Sequence, residues 1–109
     1  MKISIAVPSY NYDAYILKCL QSIKDQKYNN YEVLIADGGS SDSSLEIING
    51  FCEKDDRFSL VSISDNGQSD AIMKSFSFAS GDICCFLNAD DCYISDDVFG
   101  AVIDSFMSY

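Results

Sequence analysis

Four short apolar runs alternate with four segments of helical periodicity along this chain, and that alternation limits its fold more than any other feature. Strands that alternate with helices are joined by right-handed crossovers and form a parallel sheet. The sequence therefore predicts an α/β fold, a parallel Rossmann-like sheet with alternating helices, whose strands are apolar because helices cover both faces. The predicted strands are Lys2 to Pro8, Tyr31 to Ala36, Phe58 to Ile63 and Ile83 to Leu87.

The segments between these strands carry apolar residues at helical spacing. They predict helices over Asp13 to Gln26, Ser41 to Glu53 and Ser69 to Ala79, and a last helix capped by Ser95 or Asp96. The residues expected to face the core are Ile16, Leu17, Leu20 and Ile23, then Leu45, Ile48, Phe51 and Cys52, then Ile72, Met73 and Phe76, and finally Val98, Val102, Ile103 and Phe106.

Composition narrows the function classes. A chain of 109 residues is long enough for one domain with a modest core. A formal net charge of −10, from 17 acidic and 7 basic residues, argues against nucleic acid as a partner. Because there is no histidine, Ser–His and Cys–His nucleophiles are excluded. The five cysteines form no C-x-x-C pair and are expected to be small core residues in a reducing, cytoplasmic setting.

Polar segments follow all four predicted strands, and the carboxyl ends of parallel strands share one edge of the sheet, where such folds bind ligands. The last segment contains the adjacent acids Asp90 and Asp91, whose mutual repulsion favours a bound cation such as Mg²⁺ or Mn²⁺ carrying a substrate's phosphates. The segments are Pro8-Ser9-Tyr10, Asp37-Gly38-Gly39, Ser64-Asp65-Asn66 and Asn88-Ala89-Asp90-Asp91.

Each segment taken singly is also compatible with an ordinary structural role. Pro8 to Asn11 could simply end a strand, and Asp37 to Asp42 could be a tight turn with a helix cap. Gly67-Gln68-Ser69-Asp70 could line a ligand or cap a helix. Lys74 follows Asp70 by four residues, a spacing that favours an ordinary ion pair on a helix.

Taken together and in order, the segments resemble the opening of family 2 glycosyltransferases over essentially the whole chain. The resemblance rests on Ile3 to Asn11, Leu34 to Asp42, Ser64 to Ile72, and Gly81-Asp82 followed by Phe86 to Asp91. It implies a GT-A fold, of which this chain would be the nucleotide-sugar-binding part. It also implies a nucleotide-sugar donor, with a UDP-sugar favoured, a divalent Mg²⁺ or Mn²⁺ cofactor, and a glycan or lipid-linked acceptor at the inner membrane face.

The resemblance also assigns roles to individual residues. Pro8, Ser9 and Tyr10 would wall the nucleoside pocket, and Asp37 with Gly38 would lie at the nucleobase or ribose. Gln68 and Asp70 would lie beside the nucleoside and diphosphate. Asn88, Ala89 and Asp90 would face the ribose or sugar, and Asp91, with Asp90, would bind the metal.

Three departures from the family pattern bear on these roles. Many relatives carry a second acid where this chain has Gly38, so base recognition would rest on Asp37. Asn88 replaces the first acid of the D-x-D pattern, so metal binding would depend on Asp90 and Asp91. The family's catalytic base lies further along, in the acceptor-binding half, so we expect the 109 residues to be an N-terminal fragment that binds donor and carries no catalytic base.

Other α/β classes fit less well. A receiver domain needs acids after its first strand, where this chain has Pro8-Ser9-Tyr10, and a dinucleotide-binding domain needs glycines there, whereas the first glycine is Gly38. A non-catalytic nucleotide-binding or self-associating module remains the alternative. Open sheet edges would favour self-association, as a homodimer for example, and regions outside this chain would mediate any peripheral contact with a membrane.

Overall fold

The computed structural model describes residues 1–63 and 67–108 and contains the four successive βα units that the sequence predicts. The bounds of the strands lie within two residues of the predicted ones. The elements are β1 (Ile3–Ser9), α1 (Ile16–Lys24), β2 (Tyr31–Asp37), α2 (Ser44–Lys54), β3 (Phe58–Ile63), α3 (Gln68–Ser77), β4 (Ile83–Phe86) and α4 (Val98–Met107).

All four strands are parallel and form one sheet in the order β3-β2-β1-β4. Ile3 of β1 lies opposite Tyr31 of β2 on one side and Ile83 of β4 on the other. The chain first builds outwards from β1 to β3 and then returns to the other side of β1. This reversal creates a topological switch point between the neighbouring strands β1 and β4. Open α/β sheets bind ligands at the carboxyl edge beside such a point.

The core lies around the two central strands. Every residue of β1 is buried, and β2 is buried except at Glu32. The expectation that all strands are covered on both faces is wrong for the outer strands β3 and β4, in which only Phe58 and Ile83 are buried. The side chains of Cys84 and Phe86 in β4 are exposed, Phe86 by 53%.

The helices bury narrower stripes than predicted. In α1 the buried residues are Ile16, Cys19, Leu20 and Ile23, the spacing of one helical face. Leu17 is 56% exposed because it lies about 100° around the helix from Ile16. The same correction applies to two other predicted core residues, Met73 in α3 and Phe106 in α4, which are 69% and 54% exposed.

Two further expectations need correction. The residue before α4 is Asp97, so the helix is capped neither by Ser95 nor by Asp96, and Asp97 makes no side-chain cap hydrogen bond. The five cysteines are free thiols, but of these only Cys19 is buried and Cys84 is exposed, so they are not uniformly core residues. Among the described residues no helix combines the length and apolar character needed to cross a membrane.

A polar cluster at the amino edge of the sheet holds β4 in place. A carboxylate oxygen of Glu32 accepts hydrogen bonds from Ser4 Oγ at 2.6 Å and from the Ser80 amide at 2.6 Å, and Lys2 Nζ lies 3.5 Å from the other oxygen. The Gly81 amide donates to Ser4 Oγ at 2.8 Å. Burial alone would raise the pKa of Glu32, yet the hydrogen bonds from Ser4 and Ser80 keep it below its usual value. The cluster therefore anchors the connection that leads into β4 and its acidic segment.

Candidate functional site

A cavity of about 540 Å³ opens at the carboxyl edge of the sheet, where the sequence predicts a ligand site. Residues from β1, from the β2–α2 connection, from the start of α3 and from the segment after β4 line it, so the predicted convergence is confirmed for the segments after β1, β2 and β4. The lining residues are Pro8, Ser9, Tyr10, Tyr12, Gly38, Gly67, Ala71, Asn88 and Asp90.

The loops after β1 and β2 are interlocked by reciprocal hydrogen bonds. Asn11, at a positive φ of 53°, receives a hydrogen bond at its side-chain oxygen from the Ser41 amide at 2.8 Å. Its own amide donates to Ser40 Oγ at 2.9 Å. The Asp13 amide donates to an Asp42 carboxylate oxygen at 3.0 Å. Because these residues pair across the two loops, α1 begins at Ile16 and α2 at Ser44, later than the predicted Asp13 and Ser41.

Asp37, the last residue of β2, organises the loop that follows that strand. Its side chain is only 1% exposed, and one oxygen accepts hydrogen bonds from the amides of Gly39 at 2.9 Å and Ser40 at 2.6 Å. The other oxygen accepts one from Ser40 Oγ at 2.6 Å. Asp37 therefore shapes the loop that carries Gly38 and does not itself line the cavity. A contact between Asp37 and a nucleobase stays a prediction.

The segment after β4 is tied to β1 by its backbone. The Leu87 amide donates to the carbonyl oxygen of Ala6 at 2.9 Å, and the Ala89 amide donates to that of Pro8 at 3.3 Å. Ala89 is consequently buried, whereas Asp90 and Asp91 are exposed at the mouth of the site. Asp90 lines the cavity, and Asp91 lies next to it without lining it.

Beneath this segment, the Cys19 thiol of α1 donates to the carbonyl oxygen of Asn88 at 3.7 Å. Burial, and to a smaller extent the neighbouring acidic groups Cys92, Asp91 and Asp90, raise the pKa of Cys19 to about 12. Cys19 therefore stays protonated and supports the loop as a neutral donor.

Gly67, just before α3, and Ala71 in its first turn form a further part of the wall. Asp70 points to a different partner, since its carboxylate lies 3.1 Å from Lys74 Nζ, and the ordinary i,i+4 ion pair is confirmed. Asp70 does not line the cavity. Residues 64–66 and the Gln68 side chain lie outside the described part of the chain, so their roles at the sheet edge and beside the diphosphate stay predictions.

Tyr12 and Ala71 line the cavity although the sequence analysis did not select them. For Tyr12 a signal was available. It follows Tyr10 by two residues, and the intervening asparagine is a residue type that tolerates the left-handed conformation found at Asn11. Ala71 offered no comparable signal, because an alanine on a helix is compatible with almost any environment.

Asp90 and Asp91 alone would not complete the ligand shell of a hard divalent cation, so a bound substrate would have to supply further oxygens. Carboxylate oxygens are the donors that Mg²⁺ and Mn²⁺ prefer. Within residues 1–63 and 67–108, no group of three or more His, Cys, Asp or Glu side chains is arranged to hold a metal. The described residues that line the cavity also include no lysine or arginine. Two aspartates supplemented by phosphate and water oxygens would complete a six-ligand shell.

The chain matches a known protein family over nearly its whole length. A model of the family described as Glycosyl transferase family 2 matches residues 4–107. Glycosyltransferase GlyA of Streptococcus pneumoniae is 34% identical over 108 residues, which are 99% of this chain and 15% of that protein. The chain thus spans well under a third of the length of this curated relative.

Solved structures share the fold. S. aureus TarS 1-349 in complex with UDP-GlcNAc superposes with a TM-score of 0.86 at 25% identity, over 99% of this chain and 32% of that one. The mannosyltransferase PcManGT from Pyrobaculum calidifontis, in complex with GDP-Man and Mn²⁺, is alike in fold, with a TM-score of 0.81 at 23% identity over 93% of this chain and 31% of that one. The predicted α/β fold of the GT-A type is confirmed. With a family model that matches nearly its whole length, the chain belongs to glycosyl transferase family 2.

Proposed function

We propose that residues 1–109 form the nucleotide-sugar-binding part of a glycosyltransferase that takes a sugar from a nucleoside diphosphate sugar, with a UDP-sugar favoured. The observation that carries the proposal is the cavity at the switch point of the sheet, lined by four separate segments of the family pattern. Its volume of about 540 Å³ lies within the range of about 300 to 1,000 Å³ that is usual for small-molecule sites. The complex of the similar protein TarS with UDP-GlcNAc supports the choice of a uridine nucleotide.

The walls of the cavity offer suitable surfaces for the base and for the diphosphate of such a donor. Tyr10 and Tyr12 supply aromatic surface on which a flat base can stack, and Pro8 and Gly38 complete that wall. Gly67 and Ala71 bring the N-terminus of α3 to the cavity, where free backbone amides favour a diphosphate. The base would therefore lie against the two tyrosines, and the phosphates towards the N-terminus of α3 and the acidic segment.

The charges of the site explain why a metal belongs to the proposal. A diphosphate beside Asp90 meets repulsion, and the described lining residues supply no basic side chain to offset it. Asp91, with Asp90, would hold Mg²⁺ or Mn²⁺ there. When bound, such an ion stabilises the negative charge that develops on a departing nucleoside diphosphate.

The remaining functions are proposed for regions outside residues 1–109. The chain spans 20% of S. aureus TarS, so most of an enzyme of that size corresponds to regions outside these residues. We assign the catalytic base, inversion at the sugar carbon and binding of a glycan or lipid-linked acceptor to those regions. The setting in this proposal is the cytoplasm, at the inner membrane face.

The test is calorimetric titration of UDP, GDP and dTDP into the chain, with and without MnCl₂. We expect metal-dependent binding of one nucleotide, strongest for UDP, and its loss in the Asp91→Ala variant. Asp56→Ala is the matched control, because Asp56 is an exposed acid in the turn before β3, at the amino edge of the sheet. Absence of binding to the folded chain at millimolar nucleotide would contradict the proposal and favour the alternative of a self-associating module.

A further inference from the structure

The Tyr10 side chain lies directly against the backbone of Gly38. A Cβ atom added to Gly38 would lie 3.0 Å from Tyr10 Cδ1, 3.1 Å from its Cβ and 3.2 Å from its Cγ. Non-bonded carbon atoms prefer separations of about 3.5 to 4.0 Å. Any side chain at position 38 would therefore compete with Tyr10 for the same space. Both residues line the cavity, so that competition would take place in its wall.

The backbone on either side of Tyr10 is anchored and cannot easily move away. The Gly38 amide donates to the carbonyl oxygen of Ser9 at 2.7 Å, which holds the two loops together just before Tyr10. Just after it, Asn11 is bound at its amide and at its side-chain oxygen by Ser40 and Ser41. Rotation about the Tyr10 side-chain bonds would turn the ring and relieve the contacts with Cγ and Cδ1, whereas the contact with Tyr10 Cβ would remain and press on the anchored loop.

We propose that Gly38 is a positioning residue that sets the orientation of the Tyr10 ring and thereby the shape of the base-binding wall. The proposal rests on the proposed nucleotide-binding function and adds to it the determinant of how the base fits. Tyr10 is 55% exposed, so little besides Gly38 and the anchored loop restrains its ring.

A double-mutant cycle tests the consequence for binding. The affinity for UDP in the presence of MnCl₂ is measured for the wild type, Gly38→Ala, Tyr10→Gly and the double variant. Stacking of a base on an aromatic ring contributes about 1 to 3 kcal/mol, so Gly38→Ala alone is expected to weaken binding about tenfold. In the Tyr10→Gly background, which lacks all three contacting atoms, the same substitution should change affinity less than about twofold. An equal loss in both backgrounds would overturn the proposal.

Gly50→Ala is the matched control, because no atom lies within 4 Å of a Cβ added at Gly50. It is expected to leave the affinity for UDP unchanged. If Gly38→Ala folds poorly, the double variant should recover stability in urea, since the clash is with the Tyr10 side chain. A double variant as unstable as Gly38→Ala would count against the proposal.

A second measurement does not depend on nucleotide. The chain is labelled with 3-fluorotyrosine, and the fluorine resonance of Tyr10 is assigned with Tyr10→Phe. Gly38→Ala should shift that resonance and Gly50→Ala should not. A folded wild type that binds no nucleotide would refute the proposed function alone, and a shifted resonance would still support the positioning role. An unshifted Tyr10 resonance in Gly38→Ala would overturn it in either case.

Discussion

Replacement of Gly81 by alanine tests how tightly the connection into β4 is packed. A Cβ atom at Gly81 would lie 2.5 Å from Ser4 Oγ and 2.8 Å from both the Lys2 carbonyl oxygen and the Ser4 amide nitrogen. Two of these three atoms belong to the backbone and cannot rotate away. The Gly81 amide also donates to Ser4 Oγ, the atom that would have to move furthest. The substitution therefore adds a clash and removes a hydrogen bond at one point.

The magnitude follows from those two contributions. Overpacking of a tight site costs about 1 to 3 kcal/mol, and loss of one intramolecular hydrogen bond costs about 1 kcal/mol. Gly81→Ala should thus lower the free energy of unfolding by about 2 to 4 kcal/mol, a large share of the 5 to 15 kcal/mol typical of small domains. The assay is equilibrium urea denaturation followed by circular dichroism.

Gly50 in α2 provides a control of opposite sign. It lies inside a helix with open space around its Cα, so Gly50→Ala should raise the free energy of unfolding by about 0.5 to 1 kcal/mol. If Gly81→Ala unfolds within about 0.5 kcal/mol of the wild type, the packing described for the α3–β4 connection is refuted.

Two further predictions concern stability. Phe99 is 2% exposed and packs edge-to-face with Tyr31 and Tyr93, so Phe99→Ala should lower the free energy of unfolding by about 3 to 5 kcal/mol in the same denaturation assay. Phe106→Ala on the same helix, at a side chain 54% exposed, should lower it by less than about 1 kcal/mol. Equal losses for the two variants would contradict the core as described. Because the folded-state pKa of Glu32 lies below its ordinary value of 4.5, the carboxylate stabilises the fold above that pH, and the stability is lost as the pH falls through the lower folded value. The difference in unfolding free energy between the wild type and Glu32→Gln should therefore be largest near neutral pH and shrink below about pH 4.5, and a difference that stays constant down to pH 3 would contradict the hydrogen-bond cluster.

The fold follows from the sequence because the alternation of strand-like and helix-like runs has few topological solutions. Once a parallel sheet is predicted, the segments after its strands must share one edge, and this brought Tyr10, Gly38 and Asp90 to the same cavity. The helix faces were less predictable. Leu17 lies beside the buried Ile16 and Met73 beside the half-buried Ile72, so apolar character alone does not identify the buried residue of each pair. Only the packed neighbours decide which side of a helix is covered.

The direction in which a loop side chain points could not be predicted from the sequence. Asp37 stands where the family pattern places a ligand contact, yet its oxygens are occupied by the Gly39 and Ser40 amides and the Ser40 hydroxyl. Short polar side chains can bind nearby backbone amides, and the loop conformation rather than the sequence spacing decides which side chain does so. The inclusion of Tyr12 in the cavity wall also depends on loop conformation, the left-handed turn at Asn11, but there the asparagine itself was a sequence signal.

The central claim is that the carboxyl edge of this sheet binds a nucleoside diphosphate together with a divalent metal held by Asp90 and Asp91. The most direct test is to record amide NMR spectra of the chain with UDP while substoichiometric MnCl₂ is added. The account predicts paramagnetic broadening centred on the amides of Asn88 to Asp91 and on the first turn of α3, present only with UDP. Broadening spread evenly over the exposed acids of this chain, unchanged by UDP, would contradict it.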